Sequence, residues 1–178
     1  MPTDPIKLYQ TTVSHAKKVL TTVGSDRMQD PTPCSEWDVK QLLDHIAGAQ
    51  KALAGMIAGA DIGDEGSTTD QIDRAASAIV KAASAPGGME KLVQSRQGEA
   101  PTSRMVGIAI MDLALHTWDL AKATGQNTNL DSGVVDFMQP ILKGMVKDGP
   151  SENFAAIIEV PDSASAQDKF IALSGREP

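Results

Sequence analysis

Apolar residues recur at alternating three- and four-residue steps in the first part of the chain. Ile6, Tyr9, Val13, Ala16, Leu20 and Val23 all fall on one helical face. Asp4 is placed to accept from first-turn N–H groups, Pro5 suits the first helical position, and Gly24 permits a left-handed final residue. A helix is expected between them. The polar stretch 25–34, with Pro31 and Pro33, reads as a connection because proline fixes φ and removes a donor. Ser35 followed by Asp38 has the form of a shortened capping box, Glu36 adds negative charge beside the helix dipole, and a long helix should follow. Within it Val39, Leu43, Ile46, Leu53 and Ile57 make one stripe. Leu42, His45, Ala49, Ala52 and Met56 make a second beside it.

Residues 59–69 are rich in Gly and Asp and predict a loop, after which Ile72, Ala76, Ile79 and Ala83 define a third helix ended by Pro86-Gly87-Gly88. Residues 89–96 are expected to add a short helix. After Pro101, with Thr102 or Ser103 as cap, Met105, Ala109, Asp112, His116 and Ala123 share a face flanked by Ile108 and Leu120, and Gly125 ends the helix. Ser132 is placed to cap a helix carrying Val134, Met138, Ile141 and Met145, closed by Gly149-Pro150. Phe154, Ile157, Ile158 and Val160 suit an extended tail, and 166–173 a last short helix before Gly175. The pattern predicts an all-α chain: a helical bundle over 1–149 and a C-terminal extension over 150–178 packing on it.

Composition narrows the function. Sixteen Lys and Arg against 23 Asp and Glu give a formal charge of −7, which disfavours phosphate backbones and anionic membrane surfaces as partners. Two Trp, one Tyr and three Phe are too few for a stacking platform that binds single-stranded nucleic acid. Cys34 is the single cysteine, so no intramolecular disulfide can form and a cytoplasmic location is expected. The start Met1-Pro2-Thr3-Asp4 lacks the basic and apolar regions of an export signal, and the longest apolar run, 105–111, is far short of a membrane span.

Two titratable groups interrupt the apolar stripe of the fourth long helix. Asp112 and His116, at i and i+4, place their Cβ atoms about 5–6 Å apart on one face, so both side chains can converge on one ion. A third ligand must come from across the bundle, and His45 is the other histidine on the apolar face of a long helix. His15 lies off its stripe and lacks a carboxylate partner in the pattern. Two imidazoles and a carboxylate suit Zn²⁺, Ni²⁺ or Fe²⁺ and leave coordination positions open. The alternative reading is a hydrogen-bonded Asp–His pair and a core histidine satisfied by a carbonyl. Asp119 is either the carboxylate that orients a ligand imidazole or a solvated cap. Cys34 is either packing or a soft ligand or redox thiol, and Trp37 and Trp118 either pack the bundle or touch substrate. Arg104 and Arg176 are either surface groups or anion binders. Asp44 points about 100° away from His45 round the helix. No Gly-rich phosphate loop, G-x-S-x-G elbow or H-E-x-x-H helix competes as a reaction centre.

The stretch Thr32-Pro33-Cys34-Ser35-Glu36-Trp37-Asp38-Val39, then Leu42-Leu43-Asp44-His45, then Leu115-His116-Thr117-Trp118-Asp119-Leu120-Ala121-Lys122-Ala123-Thr124-Gly125, resembles the metal-binding domain of mycothiol-dependent maleylpyruvate isomerases in the DinB/YfiT-like superfamily. The ending Phe170-Ile171-Ala172-Leu173-Ser174-Gly175-Arg176 resembles an uncharacterised actinobacterial-type branch of it. The resemblance spans nearly the whole chain. It implies a four-helix bundle with up-down-down-up topology and metal ligands at His45, Asp112 and His116, the residues that spacing singles out. It further implies a homodimer and chemistry on a low-molecular-weight thiol and an electrophile. Two departures stand out. Position 112 is His or Glu in better-known relatives, and Asp is one methylene shorter than Glu. The maleylpyruvate isomerases also carry an additional C-terminal domain that this chain is expected to lack, so their isomerase activity is not implied. Three functions follow as expectations: a metal-dependent thiol (mycothiol-type) S-transferase or isomerase-like enzyme, a metal-dependent hydrolase using bound water, and a non-catalytic stress-response or interaction bundle.

Overall fold

The computed structural model describes residues 4–34, 37–95, 97–150 and 154–178. Its elements are α1 (Pro5–Leu20), a 3₁₀ turn (Ser25–Arg27), α2 (Val39–Ala58), α3 (Thr68–Ala83), β1 (Leu92–Ser95), β2 (Gly98–Pro101), α4 (Thr102–Thr124), α5 (Ser132–Met145) and α6 (Ala166–Leu173). They form two compact units, Met1–Asn127 and Thr128–Pro178. This division falls before α5, earlier than the 149/150 boundary expected from Gly149-Pro150. The first unit holds α1–α4 and the hairpin; in the second, α5 packs with α6. No helix among the described residues is long and apolar enough to cross a membrane.

Cross-helix hydrogen bonds fix the direction of each helix in the first unit. Tyr9 donates to Gln50 Oε1 at 2.7 Å, and Gln50 Nε2 donates to the Ala109 carbonyl at 3.4 Å, so these positions on α1, α2 and α4 share one level. Near the end of α1, the Val19 carbonyl accepts from Gln126 Nε2 at 3.2 Å, just past the end of α4, so α1 and α4 run parallel. Lys17, late in α1, pairs with Asp73, early in α3, so α3 runs opposite to α1. His45 precedes Gln50 on α2 while its neighbour Asp112 follows Ala109 on α4, which makes α2 antiparallel to α4. The topology is up-down-down-up. Because α2 and α3 point the same way, the chain must return along the 20-residue α2, about 30 Å at 1.5 Å per residue. The linker 59–67 spans roughly that length when extended. It turns out of α2 at Gly59, whose φ of 65° suits glycine, and it is held by Lys51 to Asp64 and by Arg74 to the Glu65 carbonyl at 2.6 Å.

The core is aliphatic. Leu42 and Ile46 of α2, Ile72 and Ile79 of α3, and Ile110, Leu113 and Leu120 of α4 are fully buried. Among its polar members is the Tyr9–Gln50–Ala109 chain, where burial pushes the Tyr9 hydroxyl far above its ordinary ionisation range and keeps it a donor.

Several local expectations are corrected. Residues 92–95, expected within a short helix, pair with 98–101 as an antiparallel hairpin in which Val93 faces Ala100. The reason lies in α4, whose N-cap is Pro101 rather than Thr102 or Ser103 and has no side-chain acceptor. Its first N–H groups are met instead by carbonyls of the preceding segment, Thr102 N to Lys91 O at 2.9 Å and Ser103 N to Met89 O at 2.8 Å. The N-cap of α2 is Asp38, in a capping box with Gln41, and the Ser35 and Glu36 of the expected cap lie outside the described residues. Asp131, not Ser132, caps α5. The first helix ends at Leu20, and Gly24, with φ of −72°, opens the 3₁₀ turn instead of closing α1. Residues 154–160 carry no regular structure, though Ile158 N–H donates to the Ala172 carbonyl at 3.0 Å.

Two predictions follow from these contacts. Tyr9→Phe leaves Gln50 Oε1 buried without its donor and should cost about 1–3 kcal/mol in urea unfolding, whereas the double change with Gln50→Leu should cost less than the sum of the single changes. The Ser67 hydroxyl, and then its N–H, hold the Asp70 carboxyl below its usual range at the start of α3. A depressed carboxylate contributes stability above its unfolded pKa and loses it as pH falls through the folded one. Amide protection factors in the first turn of α3, with the intrinsic pH dependence of exchange divided out, should therefore fall on acidification through that range before those in α4 do.

Candidate functional site

Two parts of the first unit build one cluster: residues 32–34 and 37–45, leading into and along α2, and residues 112–119 on α4. The turn is held at both ends. Arg27 pairs with Asp30 and donates to the carbonyls of Ala123 at 3.0 Å and Thr124 at 3.4 Å, so a cation caps the C-terminus of α4. The carbonyls of Asp30 and Met28 accept from Val39 and Lys40 N–H at 3.0 and 2.9 Å, satisfying the start of α2. Inside the turn, Thr32 Oγ1 accepts from Cys34 N–H at 3.2 Å and lies 2.8 Å from the Trp37 carbonyl as its donor, while Trp37 N–H reaches the Cys34 carbonyl at 2.8 Å. Thr32 thereby sets Cys34 and Trp37 over the histidines.

His45, Asp112 and His116 come together as the spacing predicts, with one ligand atom from each within 4.8 Å of the others. Asp112 Oδ1 lies 3.3 Å from His45 Nε2 and 3.7 Å from His116 Nε2. Side-chain exposures of 32%, 22% and 13% for His45, Asp112 and His116 leave the cluster open on the His45 side. Asp112 Oδ2 is buried and has no hydrogen-bond partner, an arrangement that costs stability unless a ligand meets it. The imidazoles of His45 and His116 meet edge to face at 4.6 Å, and the Trp37 ring covers them at 4.4 Å from His45 and 5.7 Å from His116.

Asp119 is fully buried and turns inward, not to solvent. Its Oδ2 lies 3.0 Å from His116 Nδ1 and accepts from Cys34 Sγ at 3.2 Å, with Sγ 3.7 Å from Nδ1. Cys34, His116 and Asp119 thus form a second group of donor atoms close enough to share an ion. The i,i+3 spacing from His116 carries the signal for Asp119. The contribution of Cys34 has none, because a turn returns to a helix at a place that helical periodicity does not record. Of the other candidates, Trp118 is buried with Lys122 Nζ 4.7 Å from its ring, Asp44 pairs with Lys40 on the surface, and Arg104 reaches Gln97. His15 belongs to neither donor group, and Arg176 lies in the other compact unit, where it donates to the Ser174 carbonyl.

Residues 14–88 match the family model described as the mycothiol maleylpyruvate isomerase N-terminal domain. An uncharacterized protein of Mycobacterium tuberculosis, found in two strains, is 31% identical over 180 residues, covering 97% of this chain and 98% of its own length. Two crystal structures of the mycothiol-dependent maleylpyruvate isomerase, one of them a point mutant, share the fold. They superpose with TM-scores of 0.62 for the mutant and 0.59, at 13% and 15% identity, covering 84% of this chain and 73% of theirs.

The turn geometry predicts the effect of Thr32→Val, which keeps shape but removes the hydroxyl between Cys34 and Trp37. The change should cost about 1–2 kcal/mol and shift the emission of Trp37 to the red, read in a Trp118→Phe background.

Proposed function

The chain belongs to the family of the mycothiol maleylpyruvate isomerase N-terminal domain, within the DinB/YfiT-like superfamily, and we propose that it is a metal-dependent thiol S-transferase whose ion is held by His45, Asp112 and His116. The observation that carries this reading is the convergence of one donor atom from each of the three residues, beside a second Asp112 oxygen, Oδ2, that is buried without a hydrogen-bond partner. Their separations of 3.3 and 3.7 Å compare with about 3.3 Å between ligand atoms placed tetrahedrally about 2.0–2.1 Å from Zn²⁺. They are also long for strong hydrogen bonds. The shorter side chain of Asp112 still reaches both imidazoles. Zn²⁺ is the ion we infer, with Ni²⁺ and Fe²⁺ compatible with the same donors.

A divalent ion bound there supplies Lewis acidity that stabilises the thiolate of a small thiol such as mycothiol over the thiol. The side chains do the rest. His116 is oriented by Asp119, Trp37 covers the imidazoles and limits water, and the exposed edge of His45 gives a small thiol and an electrophile their approach. Three protein donors leave room for that thiol beside them.

The test begins with metal content by mass spectrometry for the wild type and for His45→Ala and His116→Ala prepared identically. Near one equivalent is expected in the wild type and little in either variant. Zn²⁺ at one hundred times its Kd should stabilise the wild type by about 2.7 kcal/mol, raising Tm by roughly 5–10 °C, and chelation should reverse it. The loaded protein is then assayed with mycothiol and other cellular thiols on a model electrophile. Thiol-dependent acceleration lost in His116→Ala supports transfer. Turnover without any thiol would instead indicate a hydrolase using water, and no acceleration over His116→Ala would end the transferase reading.

A further inference from the structure

We propose that Cys34 is a positioning residue: together with Asp119 it holds His116 in the tautomer that carries its proton on Nδ1, which leaves the Nε2 lone pair facing His45 and Asp112. The inference deepens the metal reading and rests on it for its consequence, though the tautomer itself does not need a metal. The distances assign the proton. His116 Nδ1 lies 3.0 Å from Asp119 Oδ2, within hydrogen-bond range, whereas Nε2 lies 3.7 Å from Asp112 Oδ1, beyond it. A proton on Nε2 would give up the shorter contact for the longer one. It would also leave Nδ1 as an acceptor facing an oxygen that already accepts from the Cys34 S–H.

Cys34 enters because one carboxylate oxygen serves two donors. Asp119 has no exposed surface, so its charge must be met by protein donors, and Oδ2 receives the Cys34 S–H as well as the His116 N–H. The thiol approaches from the turn and the imidazole from α4, and both bear on the same carboxylate oxygen. Cys34 is itself fixed by Thr32 and by the Trp37 N–H on its carbonyl. The Thr-Pro-Cys-x-x-Trp pattern therefore reaches the donor set through Asp119, with the sulfur acting as a hydrogen-bond donor and not as a ligand. Substitutions at such supporting positions in metal sites cost about 10–100-fold in affinity.

Four variants separate the roles. Long-range ¹H–¹⁵N spectra of the metal-free wild type at mildly alkaline pH should show His116 protonated on Nδ1. Cys34→Ser, which keeps a donor, should retain that pattern and bind Zn²⁺ within about threefold of the wild type. Cys34→Ala should mix the tautomers and weaken Zn²⁺ binding roughly tenfold. Asp119→Asn, whose amide can donate to Nδ1, should move the proton to Nε2 and weaken binding further. Thermal unfolding of each metal-free variant checks that the fold survives. In the Co²⁺-loaded wild type, no thiolate-to-cobalt charge-transfer band is expected. A Cys34→Ala protein with unchanged tautomer and affinity overturns the proposal, as does a charge-transfer band, which would make Cys34 a ligand. The His116→Ala protein keeps the two readings apart. If the wild type binds Zn²⁺ no better than it does, the metal reading fails while the tautomer spectra still decide the role of Cys34.

Discussion

A carboxylate with no access to water has to be met by donors, and much of the site is arranged around meeting that of Asp119. The donors come from different places: the imidazole from one turn earlier on α4, and the thiol from a turn some eighty positions earlier in the chain. Bringing the thiol in requires the whole turn to lie against α4, which Arg27 secures by capping the helix end. Once the turn is there, Trp37 covers the imidazoles and the carbonyls of Met28 and Asp30 start α2 in register. His45 then projects toward Asp112 because of where α2 begins.

The same solution appears twice. The first two amides of α2 and of α4 are met by carbonyls of the preceding segment, from Asp30 and Met28 in one case and from Lys91 and Met89 in the other. In α2 a capping box adds to it, whereas Pro101 offers α4 no side-chain acceptor and the hairpin brings the segment just before it back to the start of that helix. Loops in the bundle unit therefore do more than connect; they complete the helices that carry the donors.

This explains what could be read in the chain and what could not. The four long helices were legible because their stripes are long, and the ligand candidates because Asp112 and His116 fall at i,i+4 within an apolar face and His45 within another. The boundaries were not legible where backbone carbonyls replaced side-chain caps, as at Pro101, or where Asp131 stood beside an equally suitable Ser132. The hairpin leaves little trace in the hydrophobic pattern because its strands are four residues each and its pairing serves a helix start that no periodicity encodes. The environment of Cys34 was hidden for a related reason. Which side chain a turn presents to a helix depends on tertiary placement, and here on a threonine hydroxyl two residues away.

The up-down-down-up course has a kinetic consequence. The antiparallel helices that carry the donors, α2 and α4, are separated in sequence by all of α3 and the hairpin, so His45 and Asp112 meet only after 67 positions of chain have been closed into a loop. Contacts of such separation form late relative to those within a helix or between adjacent helices, and they slow the folding of an otherwise local, helical architecture. Asp112, His116 and Asp119 reach His45 and Cys34 together, when α4 docks. The donor set is thus absent from any partly folded chain that still lacks its fourth helix, and its assembly marks the completion of the bundle.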